Sequence, residues 1–274
     1  MTQKNNFIEM TENVQDIWRK LDITNDYLFC KIMENPQICK RLLETILEVK
    51  IEKIEYSQSQ KSICMQSDGK GVRLDVYVAD EQHTIYNIEM QAQNTYELSL
   101  RSRYYQGIID MDNISKGQEY TKLYPSYVIF ICNFDLFGKG LYKYTFENLC
   151  VENREVKLGD KTRKIFLNSK GILDDASEDM RAFLQYIEGK ENDNELVQAI
   201  KNEAKVVKNN ENWRRDFMTL YMREQVKFRE GRIFERIEIA RELNVPENVL
   251  VEQLMQKFEL SKEQVQEYIE KSKI

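Results

Sequence analysis

Three polar side chains interrupt two otherwise apolar stretches of the chain, GVRLDVYV and TIYNIEMQ. Asp75 lies in the first stretch, and Glu89 and Gln91 lie in the second. Strand interiors disfavour acidic residues, and a buried carboxylate without a partner is costly or shifts its pKa until it neutralises. Three such residues in one predicted hairpin therefore indicate a functional site.

The alternation of side chains along a strand predicts which of these residues share a face. If the turn falls at residues 81–83, Asp75 lies opposite Glu89, and Gln91 shares their face. The opposite face is then uniformly apolar, with Leu74, Val76, Val78, Tyr86, Ile88 and Met90. A slip by one residue would mix the two faces, so the pattern favours this register or one shifted by two.

In this register the Cβ atoms of Asp75 and Glu89 lie about 5 Å apart, where two negative charges repel each other. A cation between the carboxylates would remove that repulsion, and hard oxygen ligands suit Mg²⁺ or Mn²⁺. The residues also allow a simpler arrangement. Asp75 could cap a turn or pair with Arg73, and Glu89 could be an exposed strand residue.

The composition excludes several classes of chemistry. The only histidine, His83, falls in the predicted turn, which excludes histidine-rich zinc sites and weakens any Ser-His or Cys-His nucleophile. Neither GxGxxG nor GxxxxGK[ST] occurs, so dinucleotide and P-loop nucleotide binding lack support. The five cysteines show no CxxC spacing and are predicted to be reduced, mostly packed thiols: Cys30, Cys39, Cys64, Cys132 and Cys150.

Charge and hydropathy bear on location and partners. No apolar run of about 18 residues occurs, and the N-terminal residues lack a signal-peptide core, so we expect a cytoplasmic protein that does not span a membrane. The net charge of −6 is unfavourable for nucleic-acid binding, because Lys and Arg provide most of the affinity for phosphate. A local basic strip, or bound metal ions, could still provide it.

The pattern of elements predicts a sheet that carries the hairpin. Helical spacing follows a predicted cap at Thr24 or Asn25 and starts again at Pro36. After the hairpin, residues 95–117 read as a helix with a buried stripe of Leu100, Tyr104, Ile108 and Met111. A continuous apolar run, residues 127–132, is typical of a strand buried on both faces, and two more strand candidates follow it. This order predicts an α/β or α+β fold with a mixed sheet.

The remainder of the chain reads as helical. We therefore predict two domains, residues 1–175 with the sheet and a helical region at 176–274. The latter contains one long helix, or two that meet near Gly231, and two short helices, the last with a capping box at Ser261 and Gln264. A packing or dimerisation element is the favoured interpretation, with a helix-turn-helix as the alternative.

A strand with Asp, a turn, and a second strand with Glu-x-Lys or Glu-x-Gln resembles the active-site hairpin of the PD-(D/E)XK nuclease superfamily. More narrowly, the chain resembles the bacterial recombination-promoting nuclease family, also described as PD-(D/E)XK transposase-like proteins. The segments that carry the likeness are NDYLFCKIM, LLETILE, RLDVYV, YNIEMQ, RSRYYQG and EGRIFERIEIARELN. The resemblance implies a restriction-endonuclease-like mixed sheet flanked by helices, with a helical C-terminal region.

The resemblance also implies roles for individual residues. Asp75 and Glu89 would bind Mg²⁺ or Mn²⁺, with help from the backbone carbonyl of Met90 and from Glu44. Gln91 occupies the position where the superfamily usually has Lys, and Leu74 replaces the usual Pro.

The activity implied is a metal-dependent DNA endonuclease in DNA recombination, mobile-element biology or defence against foreign DNA. Arg103 and Tyr104 would contact DNA, and cutting of both strands would suit a homodimer. The alternative is a catalytically inactive nuclease-fold protein that binds DNA or a protein partner.

Overall fold

The computed structural model describes residues 14–59, 62–63 and 72–272, with side chains described outside residues 56–73. The chain divides into two compact units. Of the described residues, the first comprises 19–210 and the second comprises 14–18 with 211–272.

A six-stranded mixed sheet forms the centre of the first unit, with strand order β1-β4-β5-β6-β8-β7. Strands β5, β6 and β8 run parallel to one another, and the other three pair antiparallel with their neighbours. A separate two-stranded pair is formed by β2 and β3. The bounds are β1 Ile54–Ser59, β2 Ser62–Ile63, β3 Val72–Arg73, β4 Val76–Asp80, β5 Ile85–Gln91, β6 Ser126–Cys132, β7 Lys143–Phe146 and β8 Thr162–Asn168.

The predicted register of the β4–β5 hairpin is confirmed. Val76 pairs with Ile88, and the N–H of Asp80 donates to the carbonyl of Thr84 at 3.1 Å. His83 lies in the turn with a positive φ of 62°. The mixed-sheet fold class is confirmed as well.

Leu74 does not lie on the face predicted for it. Its side chain is fully buried in the cluster that contains Tyr77 and Phe130, on the side of the sheet opposite Val76. The reason is that β4 begins only at Val76 and the chain bends at Asp75, so strict alternation does not extend back to Leu74.

Two helices, α1 Asp26–Met33 and α2 Pro36–Leu47, precede the sheet in the chain. Helix α3, Leu98–Asn113, covers the side of the sheet on which Tyr77 lies. The stripe predicted for α3 is wrong at three of its four positions, since Leu100, Tyr104 and Met111 are exposed. The buried face instead contains Leu98, Ser102, Tyr105, Gln106, Ile108 and Ile109. Two of these side chains are polar, and the carboxamide of Gln106 donates to Ser126 Oγ at 2.6 Å. A purely apolar pattern therefore misplaces the face.

The N-cap residues of α1 and α2 are Asn25 and Asn35. Their side chains accept hydrogen bonds from Leu28 N–H and Gln37 N–H, respectively. These helices pack with α4, Glu178–Ile187, and α5, Glu195–Asn209. Helices α4 and α5 thus belong to the unit that contains the sheet, whereas the sequence analysis divides the chain at residue 175.

The second unit is helical. Residues Glu211–Glu242 form one continuous helix, α6, and a smaller core joins its C-terminal half to α7, Glu247–Phe258, and α8, Lys262–Lys271. The predicted capping box of Ser261 and Gln264 starts α8. Ile237, Leu254 and Val265 are fully buried in this core.

The described cysteines form no disulfide with one another. Cys30, Cys39 and Cys132 are buried, Cys150 is half-buried, and Cys64 lies outside the described residues. Among the described helices, none has the length and apolar character needed to cross a membrane.

Candidate active site

The three predicted residues of the hairpin, Asp75, Glu89 and Gln91, lie at one edge of the sheet. The carboxyl ends of the parallel strands β5, β6 and β8 meet at this edge, and the antiparallel strand β4 begins there. Asp75 directly precedes β4, and Glu89 and Gln91 end β5. The topology therefore brings the three side chains to the open end of the hairpin, away from its turn.

Asp75 and Glu89 are interlocked by hydrogen bonds between side chain and main chain. The N–H of Asp75 donates to Glu89 Oε1 at 3.2 Å, and the N–H of Met90 donates to Asp75 Oδ2 at 3.3 Å. The side-chain amide of Asn87 also donates to Glu89 Oε1, at 3.1 Å. Each carboxylate is thus held by the opposite side of the hairpin, which fixes the pair side by side.

The two carboxylates differ in their exposure to solvent. Glu89 is 2% exposed, whereas Asp75 is partly accessible. Burial raises the pKa of Glu89 well above its usual value, and the negative charge of Asp75 raises it further. Hydrogen bonds from Asp75 N–H and Asn87, and the charge of Arg101, act in the opposite direction. The buried Glu89 carboxylate is therefore stabilised by nearby positive charge, which a divalent cation would provide.

Arg101 on α3 belongs to this site although it was not among the predicted residues. Its Nη1 donates to Gln91 Oε1 at 3.0 Å, and its Nη2 donates to Tyr105 Oη at 2.8 Å. The Nη2 atom also lies 3.5 Å from Glu89 Oε2. Arg101 lies three residues after Leu98 and four before Tyr105, so the three side chains share one face of the helix. This spacing is the signal that could have identified Arg101.

Gln91 is oriented by its two neighbours. Its backbone carbonyl accepts from Asn133 N–H at 3.3 Å, and its side-chain oxygen accepts from Arg101. A guanidinium group has donors only, so the Gln91 oxygen must face Arg101 and its amide nitrogen must face away.

The remaining predicted residues are placed differently. Glu44 accepts from Ile51 N–H at 2.9 Å and pairs with Lys40, so it stabilises the end of α2. Arg103 and Tyr104 are exposed on α3, with Tyr104 at 42%. The side chain of Arg73 lies outside the described residues.

The donor set fits a hard divalent cation with only partial protein coordination. Among the described residues, no group of three or more His, Cys, Asp or Glu side chains gathers to hold an ion. Two carboxylates are nevertheless sufficient for Mg²⁺, which keeps several water ligands and accepts substrate phosphates. Asp75 and Glu89 are the residues that would hold it.

A mixed sheet whose hairpin carries paired carboxylates at its open end defines a nuclease fold of the PD-(D/E)XK type. The family model described as PD-(D/E)XK nuclease family transposase matches residues 21–235, and the chain belongs to this family. The predicted family is therefore confirmed. No curated protein and no solved structure matches the chain.

Burial of the Glu89 carboxylate makes stability depend on pH in the metal-free protein. Because its folded-state pKa is raised, its contribution to stability is present at low pH and lost as pH rises through that pKa. We expect Glu89→Gln to become more stable relative to the wild type between acidic and alkaline pH, because only the wild type must ionise a buried carboxylate.

Urea denaturation in the presence of a chelator would measure this difference. Glu155→Gln, at an exposed position, serves as the control and should follow the wild type at both pH values. If the free energy of unfolding depends on pH equally in the wild type and in Glu89→Gln, the raised pKa assigned to Glu89 is wrong.

Proposed function

We propose that this protein is a metal-dependent DNA endonuclease that hydrolyses phosphodiester bonds with Mg²⁺ or Mn²⁺. The observation that supports this most directly is the interlocked pair of Asp75 and Glu89, with Gln91 beside it. The chain that carries this pair belongs to the family described as PD-(D/E)XK nuclease family transposase. Burying the Glu89 carboxylate next to Asp75 is costly, and binding a cation for catalysis accounts for that cost.

The residues divide the work of hydrolysis. Asp75 and Glu89 would hold the cation, and the Met90 carbonyl between Glu89 and Gln91 would be a further oxygen ligand. Gln91 directs its amide nitrogen toward a phosphate oxygen or the attacking water, because Arg101 occupies its oxygen. When bound, Mg²⁺ lowers the pKa of a water ligand and neutralises charge on the phosphate.

The substrate proposed is DNA, in recombination, mobile-element biology or defence against foreign DNA, within the cytoplasm. The exposed side chains Arg103 and Tyr104 extend from the same helix as Arg101, and they are our candidates for contact with the DNA backbone. Cutting both strands requires two sites, so we propose a homodimer as the form that makes double-strand breaks.

The test is cleavage of supercoiled plasmid by the full chain with Mg²⁺, Mn²⁺ or EDTA. The amounts of nicked and linear plasmid measure the cleavage. We expect cleavage with either metal and none with EDTA. Single-stranded RNA in parallel reactions tests the substrate class. No cleavage of DNA with either metal, by protein that binds Mn²⁺, would contradict the proposal and favour a binding protein with this fold.

A further inference from the structure

The motif after which the family is named ends in Lys, whereas Gln91 follows Glu89 by two residues in this chain. A Lys at the end of this strand would place a positive charge next to the carboxylates and the phosphate. A Gln offers hydrogen bonds of similar reach but has no charge. The site described above therefore lacks one unit of positive charge on β5.

Arg101 places a positive charge at this point from a different element. Its guanidinium contacts Gln91 at 3.0 Å and lies 3.5 Å from Glu89, so it bridges the two β5 residues. The side chain is 25% exposed, so it is screened less than a surface arginine. No rearrangement of the fold is needed for its charge to act at the site.

The guanidinium is held in place by aromatic side chains. Its central carbon lies 5.3 Å from the centre of the Tyr105 ring and 5.6 Å from that of Phe130, and Tyr105 Oη accepts one of its hydrogen bonds. Phe130 is fully buried, so this support is rigid. A charge fixed in this way pays no reorganisation cost when negative charge develops on a phosphate.

We propose that Arg101 supplies the positive charge that Gln91 itself lacks, and that Gln91 conveys it to the phosphate. Arg101 holds the Gln91 oxygen and polarises the carboxamide, so that the outward N–H becomes a stronger donor. Arg101 is thus a positioning residue for Gln91. This inference rests on the proposed function.

The same charge has an opposite effect on metal binding. Arg101 neutralises part of the Glu89 charge, and it repels any cation held by the carboxylates. Removing Arg101 should therefore tighten Mn²⁺ binding while it slows cleavage. A residue that merely packs the site would weaken both when removed, so the two roles are separable by experiment.

The experiment uses the full chain with Arg101→Met, Gln91→Lys, the double variant and Arg154→Met as an exposed control. Mn²⁺ affinity is measured by titration calorimetry and cleavage on supercoiled plasmid. We expect Arg101→Met to lower the cleavage rate by about 10²-fold and to bind Mn²⁺ several-fold more tightly. Gln91→Lys alone should bind Mn²⁺ more weakly than the wild type, because two positive charges then face the ion.

The double variant is the decisive protein, because it returns the charge to β5. We expect it to recover most of the cleavage lost in Arg101→Met, with Mn²⁺ affinity near that of the wild type, and Arg154→Met to match the wild type in both assays. Weaker Mn²⁺ binding by Arg101→Met, or no recovery in the double variant, would overturn the inference.

Two outcomes keep this inference separate from the proposed function. If wild-type protein binds Mn²⁺ but cleaves no DNA, the proposed function fails, while the order of Mn²⁺ affinities still tests the charge assigned to Arg101. If Arg101→Met does not fold, Gln91→Lys retains Arg101 and tests the same charge. Unchanged or tighter Mn²⁺ binding by Gln91→Lys would then overturn the inference.

Discussion

Replacing Asp75 with Asn is expected to lower the rate of plasmid cleavage by on the order of 10³-fold. The substitution preserves the shape of the side chain and its acceptor for Met90 N–H, so the hairpin keeps its geometry. It removes the more accessible of the two negative charges that would hold the cation. Mn²⁺ affinity should fall with the cleavage rate, whereas the free energy of unfolding should change little or rise, because repulsion with Glu89 is relieved.

Cleavage rates, calorimetric Mn²⁺ titration and urea denaturation of the same preparation measure the three quantities. Glu155→Gln removes a carboxylate at an exposed position and should match the wild type. Glu44→Gln addresses the role expected from the resemblance, and we expect less than a ten-fold loss because Glu44 caps Ile51 N–H. Full cleavage activity in Asp75→Asn would exclude this carboxylate from the reaction.

The second large effect concerns stability. We expect Asp80→Ala to lower the free energy of unfolding by about 3 kcal/mol. Asp80 is 6% exposed, and its carboxylate accepts from the N–H groups of Gln82 and Thr84 and from Tyr86 Oη at 2.7 Å. Without it, the buried N–H of Thr84 and the buried hydroxyl of Tyr86 lose this acceptor.

Urea denaturation measures the loss, and Tyr86→Phe is the matched control because it removes only one of these hydrogen bonds. It should lower the free energy of unfolding by about 1 kcal/mol. Asp80 lies at the turn of the hairpin and the site lies at its open end, so the folded fraction of Asp80→Ala should retain cleavage activity. A loss no larger than that of Tyr86→Phe would show that the carboxylate does not organise the turn.

Local patterns of the sequence were sufficient to predict the hairpin. Alternation in the two apolar runs fixed the pairing of Val76 with Ile88, and therefore the meeting of Asp75 with Glu89. The strand at residues 126–132 and the caps at Asn25 and Ser261 were equally local signals. The resemblance to the nuclease family added the roles of these residues, which spacing alone does not provide.

The errors arose where tertiary contacts override local patterns. The buried face of α3 includes Ser102 and Gln106, which find partners within the fold, so an apolar stripe cannot mark it. Arg101 was missed because its role depends on where α3 crosses β5 and β6. The position of that crossing cannot be predicted from a single sequence. The assignment of α4 and α5 to the unit with the sheet depends on packing in the same way.

The main-chain N–H groups of Asp75 and Met90 each donate to a carboxylate on the other side of the hairpin. Amide proton and nitrogen resonances respond strongly to the charge of a hydrogen-bonded carboxylate. Two backbone signals, at defined positions and without any label on a side chain, will therefore report protonation of the pair during a pH titration. Diamagnetic Mg²⁺ should shift the same two signals, so ion binding can be followed residue by residue in protein that has no nucleic acid present.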